Sequence, residues 1–290
     1  MTHRPILVTG GSGQVGGAIA RLANAKGLNI VAPGRSDLDL TDEASLIAAV
    51  TSQNWRAVIN CAAYTAVDKA ESEPNLAHSI NALAPQILAR ETARLGIPII
   101  HVSTDYVFDG TKMAPYVESD PVNPLSVYGR SKEAGEAAVR ANNPAHAIIR
   151  IAWVMSARGA NFINTMLRLG AERPEMKVVD DQWGCPSSAS DIAEALCTVA
   201  TELDGRAGTW HFSNAGEATW HGLAAYIFAA TEKRGLPTPT LLPITTAEFP
   251  TTARRPANSR LATQKIMDDF GISARPWQHA IDDILAARLD

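Results

Sequence analysis

The run PILVT, Pro5 to Thr9, passes directly into Gly10, Gly13 and Gly16, spaced G-x-x-G-x-x-G, and then into the stretch VGGAIARLANAKG. A short unbroken apolar run is the pattern of a strand buried on both faces in a parallel sheet. The stretch that follows the glycines reads as a helix. Glycines between a first strand and a first helix let the backbone turn tightly and approach a pyrophosphate, which then sits at the positive end of that helix. The order of these parts predicts dinucleotide binding at Gly10, Gly13 and Gly16.

The chain beyond keeps the same alternation. Strand-like runs recur in LNIVAPGR, RAVINCAAY, IPIIHVS and AHAIIRIAW, separated by helical stretches, the longest running from about Pro74 to Leu95. Strands alternating with helices predict an α/β fold, a Rossmann-type doubly wound parallel sheet, followed by a smaller C-terminal α/β substrate domain. The expected division is 1–150 for the dinucleotide-binding domain and 151–290 mainly for the substrate domain, with about 185–215 returning to the first. At the end of the second strand an acid would hold a ribose 2′-hydroxyl, whereas an arginine accommodates a 2′-phosphate. The chain offers Arg35 and Ser36 there, which points to NADPH, with NADH as the alternative. Asp39 and Leu40 are expected near the adenine, with Thr41 capping the next helix. Ala62, Ala63, Tyr64 and Thr65 end the third strand, where small side chains let a cofactor come close.

The fourth strand delivers Ser103, Thr104 and Asp105 to the same edge, and SVYGRSKEAGEAAVRA follows as a helix. Tyr128 and Lys132 are four residues apart in it and share a face. An ammonium near a phenol favours the phenolate, so Lys132 is expected to lower the pKa of Tyr128 toward a working acid or base. Thr104 and Tyr128 both reach one substrate oxygen in this reading. A hydroxyl pair and an ammonium beside a nicotinamide form a carbonyl reduction site.

Charge and cysteine content narrow the partners. A formal net charge of −4 gives no reason to expect nucleic acid or a membrane surface. Cys61, Cys185 and Cys197 lack metal-ligand spacing and read as reduced thiols. The start MTHRPILVTG has no signal-peptide pattern, so the expected compartment is the cytoplasm.

The motifs GGSGQVGG, NCAAYTAVDKAESEP, STDYVFDG, YGRSK, VVDDQWGCPSSASDIA and RRPANSRL, taken together, resemble the dTDP-4-dehydrorhamnose reductase family of the extended short-chain dehydrogenase/reductase superfamily. STDYVFDG and TAVDKAESEP carry most of that likeness, since the fold demands neither. The resemblance implies NADPH-dependent reduction of the C4 ketone of dTDP-4-dehydro-6-deoxy-L-mannose, the last step to dTDP-L-rhamnose. It implies cofactor contacts at Gly13, Gln14, Val15, Asp39, Leu40, Ala63, Tyr64, Thr65, Val102, Tyr128 and Lys132, and sugar-nucleotide contacts at Thr104, Asp105 and Trp153. Two alternatives stay open: a related dTDP-hexose 4-ketoreductase of different C4 stereochemistry, and a non-catalytic NADP-binding regulatory subunit. Some similar proteins carry a glutamate that helps bind magnesium at a dimer interface where this chain has Ala18. No metal is therefore expected, and the chain is read as a monomer or homodimer.

In the second half, Trp153 is placed to wall the pocket. Asn161, Phe162 and Arg168 are further pocket candidates, and Gln182 and Trp183 are candidates to line the nucleotide base. His211 and His221 read as structural, because Tyr128 already supplies the proton. Arg255, in FPTTARRPANSRL, is the candidate for the substrate diphosphate, since a guanidinium fork matches phosphate oxygens.

Overall fold

The sheet alternates its side chains between two apolar faces, which is why its strands read as unbroken hydrophobic runs. Ile6 and Val8 enter one core cluster while Leu7 enters another on the opposite face. The computed structural model describes residues 4–289, so the first three residues of the MTHR start lie outside the described chain. Strands β1 (Ile6–Thr9), β2 (Ile30–Val31), β3 (Ala57–Asn60), β4 (Ile99–Thr104) and β5 (His146–Ile151) alternate with helices α1 (Gln14–Lys26), α2 (Glu43–Thr51), α3 (Val67–Ala70), α4 (Pro74–His78), α5 (Ala84–Arg94) and α6 (Val127–Asn142). Next come β6 (Val154–Met155), α7 (Phe162–Glu172), β7 (Glu175–Val179), β8 (Trp183–Gly184), β9 (Ser187–Ser188), α8 (Ala189–Glu202), β10 (Gly208–Phe212), β11 (Ala218–Thr219), α9 (Trp220–Glu232), β12 (Thr240–Ile244), α10 (Gln264–Phe270) and α11 (Trp277–Leu289).

The main sheet has six strands in the order β10-β5-β4-β3-β1-β2, and every pairing in it is parallel. Helices α1 and α8 pack on one face; α2, α5 and α6 contribute to the other. The chain runs outward from β1 to β2 and then crosses back to β3. The strand order therefore reverses between β1 and β3, and a crevice opens beyond their carboxyl ends, the place where open α/β sheets bind ligands. A third cluster gathers Met155, Ile163, Met166, Leu223, Ile227, Trp277 and Ile281 beneath β7, β12 and the helices α7, α9 and α11. It builds the wall that faces the crevice from the other side.

Local chemistry sets the ends of these elements. Asp42, rather than the expected Thr41, caps α2 by accepting the Ala44 amide, while Thr41 bonds Asp39. Ser188 caps α8. The long helical stretch from Pro74 is interrupted by a π segment at Ser79–Leu83, closed by the Ala84 amide on Ser79 O. Pro85 is the physical cause. It has no N–H to give the carbonyl of Asn81, so the ladder widens there.

Candidate active site

At the crevice, Gly10 adopts φ +72°, and a Cβ on it would stand 2.9 Å from the Ala62 backbone. Only glycine fits between the ends of β1 and β3. Helix α1 then begins with Gly13 as an N-cap that contributes no side-chain bond, and its first turn holds no acidic residue. Those unsatisfied amides and the positive end of the helix form a cradle for phosphate. The Gln14 side chain is already engaged, accepting from Ser156 Oγ at 2.8 Å and Asn161 Nδ2 at 3.0 Å. It thereby ties the glycine loop to the segment before α7.

A cleft of about 860 Å³ extends from this cradle to the second half of the chain. Gly10, Gly13, Gln14, Val15, Gly16, Arg35, Asp39, Leu40, Ala62, Ala63, Thr65 and Val102 line one part of it; Asp105, Trp153 and Arg255 line the other, with Thr104, Tyr128 and Lys132 between. Two expected residues fall outside the lining. Ser36 turns to Asp37, and Tyr64 sends its hydroxyl to Glu73 at 2.6 Å while its backbone is held by Asn81.

Tyr128 stands in the first turn of α6, where Ser126 caps the helix by accepting the Gly129 amide. Thr104 ends β4; its hydroxyl donates to Asp105 Oδ1 at 2.8 Å and accepts the Tyr106 amide at 3.2 Å. Burial pushes the Tyr128 phenol above its ordinary range; the nearby Thr104 hydroxyl opposes that shift, and Asp105 and Tyr106 add to it. This corrects the expected lowering by Lys132. The lysine nitrogen points back to the sheet, donating to Val102 O at 2.7 Å, and burial brings its own pKa down to about 8. The Tyr128 phenol is thus held in its acid form.

Behind the tyrosine, Asn81 in the π segment donates to Ser131 Oγ at 2.9 Å, and Ser131 Oγ donates to Tyr128 O. The TAVDKAESEP motif supplies further supports. Asp68 accepts from Arg255 Nη2 at 2.8 Å, Glu71 accepts the Val127 amide, and Glu73 takes the Tyr64 hydroxyl and the Lys69 ammonium.

The half of the cleft beyond Tyr128 is aromatic and holds two unpartnered polar atoms. Trp153 has φ +40° and stacks on Trp220 with ring centroids 3.4 Å apart and planes 5° apart. Gly184 makes room for that indole, since a Cβ there would meet it at 2.2 Å. Phe162 leans on Trp220, as the sequence placed it in the pocket. Asp105 Oδ2 and Arg255 Nε are buried without a hydrogen-bond partner. Burial pushes the Asp105 carboxyl up to about 6.

Other candidates lie elsewhere. Arg168 is exposed and pairs with Glu172. Gln182 does not line the cleft but accepts from Trp220 Nε1 at 3.2 Å, and Trp183 lies half-exposed under Arg260. His211 is fully buried between Arg150 and Tyr116 O, and His221 lies 3.8 Å from Asp180; neither reaches the cleft. Ala18 is buried in the core, and no group of three His, Cys, Asp or Glu side chains with metal-holding geometry occurs among the described residues. Sequence reasoning missed Trp220, Tyr106 and Asp68. Asp68 had a signal, being in a motif the fold does not require.

Residues 3–289 match the model of the RmlD substrate binding domain family. The chain belongs to this family. It is similar to a dTDP-4-dehydrorhamnose reductase from Sinorhizobium fredii, 43% identical over 290 residues that cover 98% of this chain and 97% of that one. An Escherichia coli K12 protein of the same name is 39% identical, covering 97% and 96%. Among solved structures, a dTDP-4-dehydrorhamnose reductase from Clostridium acetobutylicum superposes with a TM-score of 0.92 at 38% identity, covering 98% and 99%. One from Bacillus anthracis, solved in complex with NADP, superposes with a TM-score of 0.91 at 32% identity, with the same coverage.

Proposed function

We infer that the chain catalyses NADPH-dependent reduction of the C4 ketone of dTDP-4-dehydro-6-deoxy-L-mannose to dTDP-L-rhamnose, as a cytoplasmic enzyme. The observation that carries this reading is the placing of Thr104, Tyr128 and Lys132 between a phosphate cradle and an aromatic, arginine-bearing wall. Full-length similarity to reductases of that name supports it.

When bound, NADPH supplies the hydride. The free amides of α1 and the glycine turn would hold its pyrophosphate, Arg35 its 2′-phosphate, and Ala62, Ala63, Thr65 and Val102 its ribose and nicotinamide. Thr104 orients the ketone by hydrogen-bonding its oxygen, and Tyr128 gives that oxygen a proton as negative charge develops there. Lys132, tethered to Val102 O on the cofactor side of the cleft, would meet the nicotinamide ribose. The free Asp105 Oδ2 accepts from a sugar hydroxyl, Trp153 and Trp220 present an apolar face to the 6-deoxy ring, and Arg255 pairs with the diphosphate.

The test is loss of reduced-nicotinamide absorbance when the dehydro sugar nucleotide is supplied, run in parallel with NADPH and NADH. Turnover is expected, faster with NADPH, and replacing Arg35 with aspartate should narrow that preference. Cofactor binding without any turnover would favour the regulatory-subunit reading and overturn this one.

A further inference from the structure

Three polar residues lie abreast across the sheet where its neighbours are apolar. Thr9 on β1 is in register with Asn60 on β3, and Asn60 with His101 on β4. All three are buried, and packing alone gives no reason for them. They form one directed chain. The Thr9 hydroxyl accepts the Ala62 amide at 3.2 Å and stands 2.6 Å from Asn60 Oδ1; Asn60 Nδ2 is 3.0 Å from His101 Nδ1; His101 Nε2 is 3.5 Å from Lys132 Nζ.

The direction of each bond follows from its neighbour. A separation of 2.6 Å fits O–H···O and is short for N–H···O. The Thr9 hydroxyl therefore donates to the Asn60 carbonyl oxygen, which fixes the amide orientation. Asn60 Nδ2 must then donate to His101 Nδ1. The imidazole is neutral, because burial, with Lys132 and Arg140 beside it, holds its pKa well below the usual histidine value. Its single proton therefore sits on Nε2 and faces the lysine.

We propose that His101 is a positioning residue that sets the proton affinity of Lys132, its Nε2–H favouring the amine over the ammonium. The inference rests on the reductase reading above only for its effect on rate. His101 is not a shuttle, since Nδ1 is filled by an amide donor that cannot carry a proton onward. The charges facing the pair are few. Glu136 on α6 favours the ammonium and is itself bound to Arg150 and Ser103; the Cys61 thiol, just past the end of β3, is held neutral by burial, and Arg140 on α6 opposes a charged imidazole. His101 is thus the neutral polar group that, together with burial, opposes the ammonium.

The direct test is the tautomer in the wild-type protein, read from the ¹⁵N shifts of the His101 ring, with a Lys132 titration followed by ¹³C-lysine NMR. The structure predicts a protonated Nε2 and a lysine that titrates near 8. In His101→Leu that titration should move up by about one pH unit, whereas His101→Gln, which keeps an N–H at the Nε2 position, should hold it near the wild-type value. The upper limb of the kcat profile should follow in each protein. A protonated Nδ1, or a Lys132 titration unmoved in His101→Leu, overturns the proposal. The tautomer needs no variant to fold, and neither NMR readout needs turnover. An enzyme inactive on the dehydro sugar nucleotide would sink the reductase reading and leave this one decided by its own data.

Discussion

Glu71 Oε1 accepts the backbone amide of Val127 at 2.8 Å. The acceptor lies in the TAVDKAESEP motif and the donor is the first residue of α6, one position before Tyr128. A carboxylate at a helix N-terminus satisfies an orphan N–H and complements the helix dipole. The two family motifs are thus parts of one device, in which one segment fixes the start of the helix that aims Tyr128.

Glu71→Ala should therefore cost about 1.5 kcal/mol of stability, the scale of a hydrogen bond to a charged group. It should also lower kcat about tenfold through misplacement of Tyr128. Thermal melts and steady-state kinetics check both, and NADPH affinity should change little. Unchanged kcat would show that α6 is held without this contact.

Asp105 gives a pH test of stored cost at the site. Its folded pKa, about 6, lies above the ordinary 3.8 because the carboxyl is buried. Between those values the folded state binds more protons than the unfolded, so stability falls as pH rises through about 4 to 6, and the cost is fully present above 6. Asp105→Asn should then be more stable than wild type at pH 7.5 by up to roughly 3 kcal/mol, with the difference fading near pH 4. It should also raise KM for the sugar nucleotide. Urea unfolding at the two pH values decides, and a difference independent of pH would contradict the assignment.

Trp220→Ala removes the indole that stacks on Trp153 and leaves a backbone at φ +40° without its support. The expected result is a loss of about 3 kcal/mol and a KM for the sugar nucleotide raised more than the KM for NADPH. Equal effects on both KM values would place Trp220 outside the sugar half of the cleft.

Tyr128→Phe should lower kcat by a factor on the order of 10² to 10⁴ with cofactor affinity retained by fluorescence titration. Most of the activity surviving would mean that another group delivers the proton.

The fold and the cofactor half were legible because their signals are local. An apolar run, a glycine trio and a helical stretch adjoin one another in sequence, and Tyr128 and Lys132 share one helix turn. What Gly10 avoids, the backbone of Ala62, is more than fifty residues away, yet the choice of glycine already encodes it. The π segment was also written locally, in Pro85 four residues after Asn81, but the helical pattern on either side hid it. The sugar half was harder to read. Trp220 reaches Trp153 through the packing of α9, and no spacing announces a contact across 67 residues. Gln182 was expected against the base, but it braces the Trp220 indole from behind. The direction of the Lys132 side chain was misread because a shared helix face does not settle which neighbour a long side chain meets. A buried carbonyl and an imidazole on β4 took it instead of the phenol.

The central claim is tested most directly by NMR of the sugar nucleotide formed from dTDP-4-dehydro-6-deoxy-L-mannose with NADPH carrying deuterium at both C4 positions of the nicotinamide. The account predicts deuterium at C4 of the sugar and an equatorial C4 hydroxyl, the rhamnose configuration. An axial hydroxyl, or a product without deuterium at C4, would contradict it.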